Sequence, residues 1–281
     1  MIIVSGANGQ LGRMVVERLL ERVPTERVGV SVRDPEKARA LEERGVRVRR
    51  GDFTDPASLA HAFKDATKVL IVSTNTAGEE AVDHHRAAIK AAAGAERVLY
   101  TSHMGANPSS PFAPMRDHAA TEAALRDSGV PFTALRNGFY TSTIVRLLGG
   151  ALQTGELIAP EDGPVAWTDH ADLAEVTALA LAEDGFDGPT PALTGAETTD
   201  MTGIAEIATR LSGRPVRRVV VSDADYRAHL VSHGVPEFAA EMLVGMFVAS
   251  RQGDFAPADP TLARLLDRPT VSVEDVLKAA Q

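Results

Sequence analysis

The sequence contains no cysteine in 281 residues, which excludes a disulfide scaffold, a thiolate zinc site and a cysteine nucleophile. Lysine is scarce. Lys37, Lys64, Lys68, Lys90 and Lys278 stand against 29 basic residues in all, so arginine carries nearly all the positive charge. Aromatics make up 5% of the chain, with a single tryptophan and three tyrosines. No apolar run approaches the ~18 residues that a membrane-spanning helix requires. The opening Met1-Ile2-Ile3-Val4 has no basic lead of the signal-peptide kind and runs straight into a strand pattern, so the expected location is the cytoplasm. Basic residues are outnumbered by 38 acidic ones, a net charge of −9, which argues against a nucleic-acid partner. What remains is ordinary globular composition, 44% hydrophobic and 24% charged, which excludes intrinsic disorder.

Short β-branched runs alternate with longer amphipathic stretches through the first half. Strands are expected over residues 2–5, 27–32, 46–50, 68–73, 97–101 and 131–136. Helices are expected between them over about 10–23, 36–44, 56–63, 79–93 and 115–127. This alternation predicts parallel βαβ units: a Rossmann-type α/β fold, doubly wound, with helices on both faces of the sheet. Beyond Arg136 the pattern loosens into helical stretches with short extended pieces. The expected organisation is a nucleotide-binding domain over 1–136 and a smaller, mostly helical C-terminal lobe over 137–281, some of which returns to the sheet.

Directly after the first strand comes Gly6-Ala7-Asn8-Gly9-Gln10-Leu11-Gly12, a GxxGxxG spacing that opens a helix. Gly6 permits the tight turn, Gly9 lets backbone approach a pyrophosphate, and Gly12 lets helix and strand pack closely. The helix N-terminus adds N–H donors and partial positive charge. Gly6, Asn8, Gly9, Gln10 and Leu11 are therefore candidate dinucleotide ligands. The end of the second strand selects the dinucleotide. Arg33 stands twenty-one residues past Gly12, and Lys37 follows one helical turn later. A guanidinium fork suits a 2′-phosphate, so NADPH is expected over NADH. Asp34 is the competing ribose acceptor, but followed by Pro35 it reads more readily as a helix cap. At the third strand's end, Asp52 could accept from the adenine amino group and Phe53 flank the ring; Asp52 also reads as a cap. Ser73, Thr74 and Asn75 at the fourth strand's end are expected under the ribose and pyrophosphate.

These residues resemble the extended, atypical short-chain dehydrogenase/reductases, and more narrowly the NmrA-like family. The likeness rests on Gly6–Gly12, Val32-Arg33-Asp34-Pro35-Glu36-Lys37, Gly51-Asp52-Phe53, Tyr100-Thr101-Ser102, the stretch from His118 to Leu125 and Leu135-Arg136-Asn137-Gly138-Phe139-Tyr140. Within the family the sequence is similar to the branch of NADPH-dependent quinone and triphenylmethane reductases. The family mixes reductases, isomerases and cofactor-sensing regulators, so membership alone does not fix a reaction.

Short-chain dehydrogenases typically pair a tyrosine with a lysine four residues on, which lowers the tyrosine pKa for proton transfer. Here Tyr100 is followed at that spacing by Met104, Tyr140 by Ile144 and Tyr226 by Leu230. Oxidising an alcohol needs a base, so that chemistry is disfavoured. Reducing a quinone, azo compound or cationic dye is less demanding, because the acceptor is already electrophilic. The resemblance and the strand ends name the candidates. Ser102 is expected to hold the nicotinamide ribose or a substrate oxygen. His118, one helical turn before Glu122, is a candidate proton donor, with a surface pair to Glu122 as its simpler explanation. His103 is a further donor or an exposed loop residue. Asn137, Gly138 and Phe139 are expected to wall the nicotinamide, and Tyr140 to donate to a carbonyl. His84 and His85 read as a solvated pair, and no metal site is expected. Phe112, Met115, Phe139, Trp167, Met242, Met246 and Phe247 would line an apolar pocket or, more ordinarily, fill the core.

The expected function is an NADPH-dependent oxidoreductase passing hydride to a planar, apolar small molecule. The alternative is a catalytically silent NADP(H)-sensing regulator. A sugar-nucleotide epimerase ranks below both for want of the tyrosine–lysine pair. A homodimer stays open.

Overall fold

The computed structural model describes residues 1–280, and the chain divides into two compact units. The first comprises Met1–Pro108, Pro114–Asn137 and His170–Leu193; the second comprises Ser109–Ala113, Gly138–Asp169 and the chain from Thr194 onward.

Among the described residues the first unit is built on a seven-stranded sheet. Its strands are β1 (Ile2–Ser5), β2 (Val28–Val32), β3 (Arg47–Arg50), β4 (Lys68–Ile71), β5 (Arg97–His103), β6 (Phe132–Asn137) and a short strand, Gly188–Pro189. Every pairing is parallel, in the spatial order Gly188–Pro189, β6, β5, β4, β1, β2, β3. All residues of β1 and β2 are buried. Strands covered on both faces carry apolar or small residues at every position, as Ile2-Ile3-Val4 and the valines of β2 with Gly29 and Ser31 between them do. The edge strand β3 instead carries three arginines. Arg47 and Arg49 turn back to donate to the carbonyls of Ala62, Lys64 and His61, which blunts the open edge. The seventh strand is the piece beyond Arg136 that returns to the sheet, at a stretch whose glycines and prolines read as a turn. It is two residues long, and Pro189 is tolerated there because an edge strand needs no second ladder.

Helices α1 (Gln10–Leu20), α2 (Arg39–Glu43), α3 (Pro56–Ala62), α4 (Glu79–Ala91) and α5 (Ala113–Asp127) follow successive strands. α1 buries Leu11, Gly12, Val15, Val16 and Leu19 as one stripe and packs against the helix His170–Ala182. α3 is capped by Asp55, which accepts from the Ser58 N–H at 3.2 Å. The helix expected over 36–44 is instead a 3-10 turn, Pro35–Ala38, followed by α2. Asp34 stands at the cap position of that turn but makes no capping hydrogen bond, because its carboxylate faces Lys37 at 3.5 Å.

β1 has β2 on one side and β4 on the other, so the connections leave its carboxyl end in opposite directions. Such a switch point opens a crevice at the strand ends.

In the second unit, Phe139–Tyr140 pairs with Trp167–Thr168 and Glu156–Pro160 with Arg217–Val221. The helices Met201–Ser212, Asp223–Ser232 and Glu237–Arg251 accompany them. An ion pair between Arg218 and Asp162, each with a side chain 8% exposed, ties this unit internally. The Asp162 carboxylate also accepts from the Met201 N–H at 2.7 Å.

Candidate active site

The glycine-rich turn sits at the switch point, and its glycines are sterically required. Gly6 has φ +63°, and a Cβ there would also lie 3.3 Å from the Val72 side chain. A Cβ on Gly12 would come within 2.4 Å of the Gly6 carbonyl oxygen. Only a bare α-carbon lets α1 start this close to β1. Gly9 is the N-cap of α1 and brings no side chain to satisfy the first amides of the helix. Those donors are what an anionic pyrophosphate needs. Asn8 ties the turn to the end of β2 by donating from Nδ2 to the Asp34 carbonyl at 2.9 Å.

Arg33 follows β2, exposed, with no ion pair within 4.0 Å among the described residues. Lys37 instead partners Asp34. Asp52 accepts from both the N–H and the hydroxyl of Thr54 at 3.0 and 2.9 Å. The Thr54 backbone bond holds its carboxyl below the usual range, with the Arg50 and Arg33 charges acting the same way and burial opposing them. The cap of the next helix is Asp55, not Asp52. Phe53 packs partly buried against the core, its ring 6.4 Å from those of both His84 and His85. After β4, the Ser73 N–H donates to Thr101 Oγ1 at 2.8 Å and the Thr74 N–H to His85 Nε2 at 3.0 Å. Asn75 is exposed.

At the end of β6, Asn137 is 1% exposed, and neither its Nδ2 nor its Oδ1 has a hydrogen-bond partner. A buried carboxamide left unsatisfied costs about 1–3 kcal/mol, which makes it a group built to meet a ligand. The bare glycines, the open amides of α1, the unpaired Arg33 and this carboxamide together fit a dinucleotide bearing a 2′-phosphate.

Ser102 lies 2% exposed in β5 and gives its proton to Glu122 Oε1 at 2.7 Å, so what it offers a ligand is its lone pairs. Glu122, 3% exposed, is also gripped by Arg136 through Nε at 3.0 Å and a terminal nitrogen at 2.7 Å. That fork raises the Arg136 pKa above its ordinary value despite partial burial. Glu122 is therefore no surface partner of His118, as the helical spacing suggested. His118 Nδ1 instead meets the Tyr100 hydroxyl at 2.8 Å.

Tyr100 is fully buried and lies at the centre of a cluster. Its ring is 5.1 Å from that of His85 and 5.6 Å from that of His118, and the rings of His118 and His103 are 5.9 Å apart. His85 is 2% exposed, which corrects its expected place on a solvated face. The signal was present: Ala81, Val82, His85, Ala88 and Ile89 form the buried stripe of α4 at helical spacing. His103 is half-buried at the end of β5, not on an exposed loop.

Burial pushes the histidine pKa values down, to about 3 for His85, about 3 for His103 and about 4 for His118; the Glu122 charge opposes the shift at His118. All three are neutral in the folded protein near pH 7. The unfolded chain, with ordinary histidines near 6.5, binds more protons below that pH. Stability therefore rises with pH across this window and is lost as pH falls from about 6.5 toward 4. Calorimetric melting between pH 7 and 5 is expected to show a falling Tm, and the fall should be shallower in His85→Asn. A flat profile in the parent protein would contradict the neutral cluster.

Gly138, Phe139 and Tyr140 lie in the second unit. There the Phe139 ring packs among Phe112, Trp167 and Phe255 at 5.7, 5.4 and 4.9 Å. Of the apolar residues expected to line a pocket or fill the core, Met115, Phe112, Trp167, Met246 and Phe247 are buried. Met242 lines an open cleft of about 660 Å³ within the second unit, beside Arg146, Leu147 and Tyr226. Among the described residues no helix is long and apolar enough to cross a membrane.

Residues 6–184 match the family described as NAD(P)H-binding. The chain is 36% identical over 278 residues to Quinone oxidoreductase 2 of Escherichia coli (strain K12), covering 98% of this chain and 96% of that protein. It is 29% identical over 286 residues to the NmrA-like family domain-containing oxidoreductase flvB of Aspergillus flavus, covering 98% and 93%. Among solved structures, Citrobacter sp. triphenylmethane reductase complexed with NADP(H) superposes with a TM-score of 0.94 at 31% identity, covering 100% of both chains.

Proposed function

Since the chain belongs to the NAD(P)H-binding, NmrA-like family, whose oxidoreductases it matches along nearly its whole length, we propose that it reduces quinones and similar planar electrophiles with NADPH, without a tyrosine–lysine pair. One observation carries this reading. Tyr100 and His103 of β5, His85 of α4 and His118 of α5 form a buried histidine–tyrosine cluster that contains no lysine.

Bound NADPH supplies a hydride equivalent, the two electrons and one proton that the acceptor gains first. The chain's own residues do the rest. Gly6, Asn8, Gly9, Gln10 and Leu11 would hold the pyrophosphate through backbone donors at the head of α1. Arg33, with Lys37 behind it, would hold the 2′-phosphate. Asp52 and Phe53 would flank the adenine, and Ser73, Thr74 and Asn75 the ribose and pyrophosphate. The Asn137 carboxamide would find its missing partner on the nicotinamide side. His118 and Ser102 face the reacting end.

Nothing in this set is poised to remove a proton from an alcohol at neutral pH, which favours reduction of a ready electrophile. The overall balance is acceptor, NADPH and one proton going to reduced acceptor and NADP⁺, with that proton drawn from water. Positioning and electrostatics then supply the rate enhancement.

The purified protein is expected to oxidise NADPH when a small quinone is added, and to do so much faster than it oxidises NADH. NADPH binding without turnover across quinones, azo dyes and aldehydes would overturn the reductase reading in favour of a cofactor-sensing regulator.

A further inference from the structure

We infer that the open cleft of the second unit is a binding site for a small apolar carboxylate, held by the Arg146 guanidinium and the Tyr226 hydroxyl. The inference goes beyond the reductase reading and does not rest on it, because every residue that lines the cleft belongs to the second unit.

The cleft has the size and the lining of a small-molecule site. Its volume of about 660 Å³ falls within the ~300–1,000 Å³ of ligand pockets. The helices Ser142–Leu148, Asp223–Ser232 and Glu237–Arg251 and the strand Glu156–Pro160 form its walls. They contribute Leu147, Leu157, Leu230, Met242 and Leu243. Leu157 is buried, but the other four stay partly exposed on one concave surface. Covering that hydrocarbon favours a ligand with an apolar body, and Met242 can adapt to its outline.

Two polar groups on this apolar surface lack partners. Tyr226 is 5% exposed, with its ring packed edge-on against Phe247 at 5.4 Å. Its hydroxyl has no hydrogen-bond partner among the described residues. A buried phenol ordinarily finds one, so an unpartnered phenol in a cleft wall is a group left for a ligand. Burial pushes the Tyr226 pKa up against the opposing charge of Arg218, so the hydroxyl stays an O–H donor. Arg146 is exposed, and its one protein contact is Thr143 Oγ1 at 3.5 Å. Its neighbours three and four positions away, Ser142, Thr143, Gly149 and Gly150, include no acid. Glu156 is the carboxylate that lines the cleft, and Arg217 already neutralises it at 2.6 Å. His229 and His233, with rings 4.3 Å apart, are neutral or positive and never anionic. On a chain of net charge −9, this cleft is thus biased toward positive charge. A guanidinium and a phenol both donate, so an oxygen-bearing anion satisfies the pair and a cation satisfies neither.

Calorimetric titration of the full chain without NADPH tests the site, using naphthoate, naphthylmethanol and naphthylmethylamine. These present one ring system with a negative, a neutral and a positive head. Naphthoate is expected to bind about tenfold or more tightly than the alcohol, with the amine weakest. Arg146→Glu should abolish that order, with about a tenfold or greater loss for naphthoate. Tyr226→Phe should weaken naphthoate about fivefold. Decanoate in place of naphthoate tells a chain from a ring as the body, and a binding loss in Arg146→Glu with either acid supports the site. Equal affinity for the three heads, no binding by either acid, or binding indifferent to Arg146→Glu would overturn the inference. Arg146 is exposed, so its variant decides even where Tyr226→Phe fails to fold. Because the titration needs no turnover, a chain that reduces nothing yet binds naphthoate through Arg146 would refute the reductase reading alone. An active reductase that ignores both acids would refute this site alone.

Discussion

Arg33→Asp is expected to weaken NADPH binding by about two orders of magnitude and to leave NADH binding within about threefold. The guanidinium follows β2 directly, exposed and without an ion pair among the described residues, while the neighbouring carboxylate of Asp34 is engaged by Lys37 at 3.5 Å. Charge-assisted hydrogen bonds to a phosphate are worth about 1.5–3 kcal/mol, and each 1.4 kcal/mol is tenfold in affinity. Aspartate removes that attraction, adds repulsion toward the 2′-phosphate, and offers the ribose 2′-hydroxyl of NADH an acceptor instead. Lys37→Ala should cost much less, since its ammonium is already shared with Asp34. Calorimetric titration of both nucleotides measures the effect. Equal losses for the two would remove Arg33 from the 2′-phosphate.

The second large effect concerns stability. Glu122→Ala is expected to cost about 3 kcal/mol, the lower end of the range for breaking a buried ion pair, because Arg136 keeps a third of its side chain in water. The carboxylate accepts three hydrogen bonds at 2.7–3.0 Å, two from Arg136 and one from Ser102. Removing it strands a guanidinium and a buried hydroxyl together. At about 2–4 °C per kcal/mol for a chain of this size, Tm should fall by about 6–12 °C. Glu122→Gln keeps an acceptor for Ser102 and loses only the charge, so its loss should be smaller. Denaturant titration checks both. A Glu122→Ala cost under about 1 kcal/mol would mean the cage is incidental.

The Glu122 cage also marks where the sequence stops being informative. His118 and Glu122 visibly share a helix face. That this face turns toward the sheet, so that Glu122 finds Arg136 on β6 and His118 finds Tyr100 on β5, is a long-range fact no spacing encodes. The parallel strands were legible because short β-branched stretches such as Ile2-Ile3-Val4 and Val28–Val32 alternate with longer amphipathic ones. The glycine turn was legible because Gly12 has no room for a methyl group. His85 was within reach, since its neighbours on the buried stripe of α4 are apolar, but adjacent histidines suggest solvent more readily than a core. The strand Gly188–Pro189 carries no strand propensity at all and exists because β6 offers it an edge. The helix His170–Ala182, which lies far past β6 in the chain yet belongs to the first unit, is buried nearly all round, with little amphipathic signal to assign it a partner.

The central claim is that hydride passes from NADPH to a quinone-like acceptor with no titrating side chain in the step. Anaerobic single-turnover oxidation of NADPH deuterated at the nicotinamide C4, with a small quinone, tests it most directly. The account predicts one NADPH consumed per quinone, a primary isotope effect, and a rate that stays level from about pH 6 to 9, because the histidines near the site are already neutral. No consumption of NADPH, or a rate that steps with an apparent pKa between about 6 and 8, would contradict it.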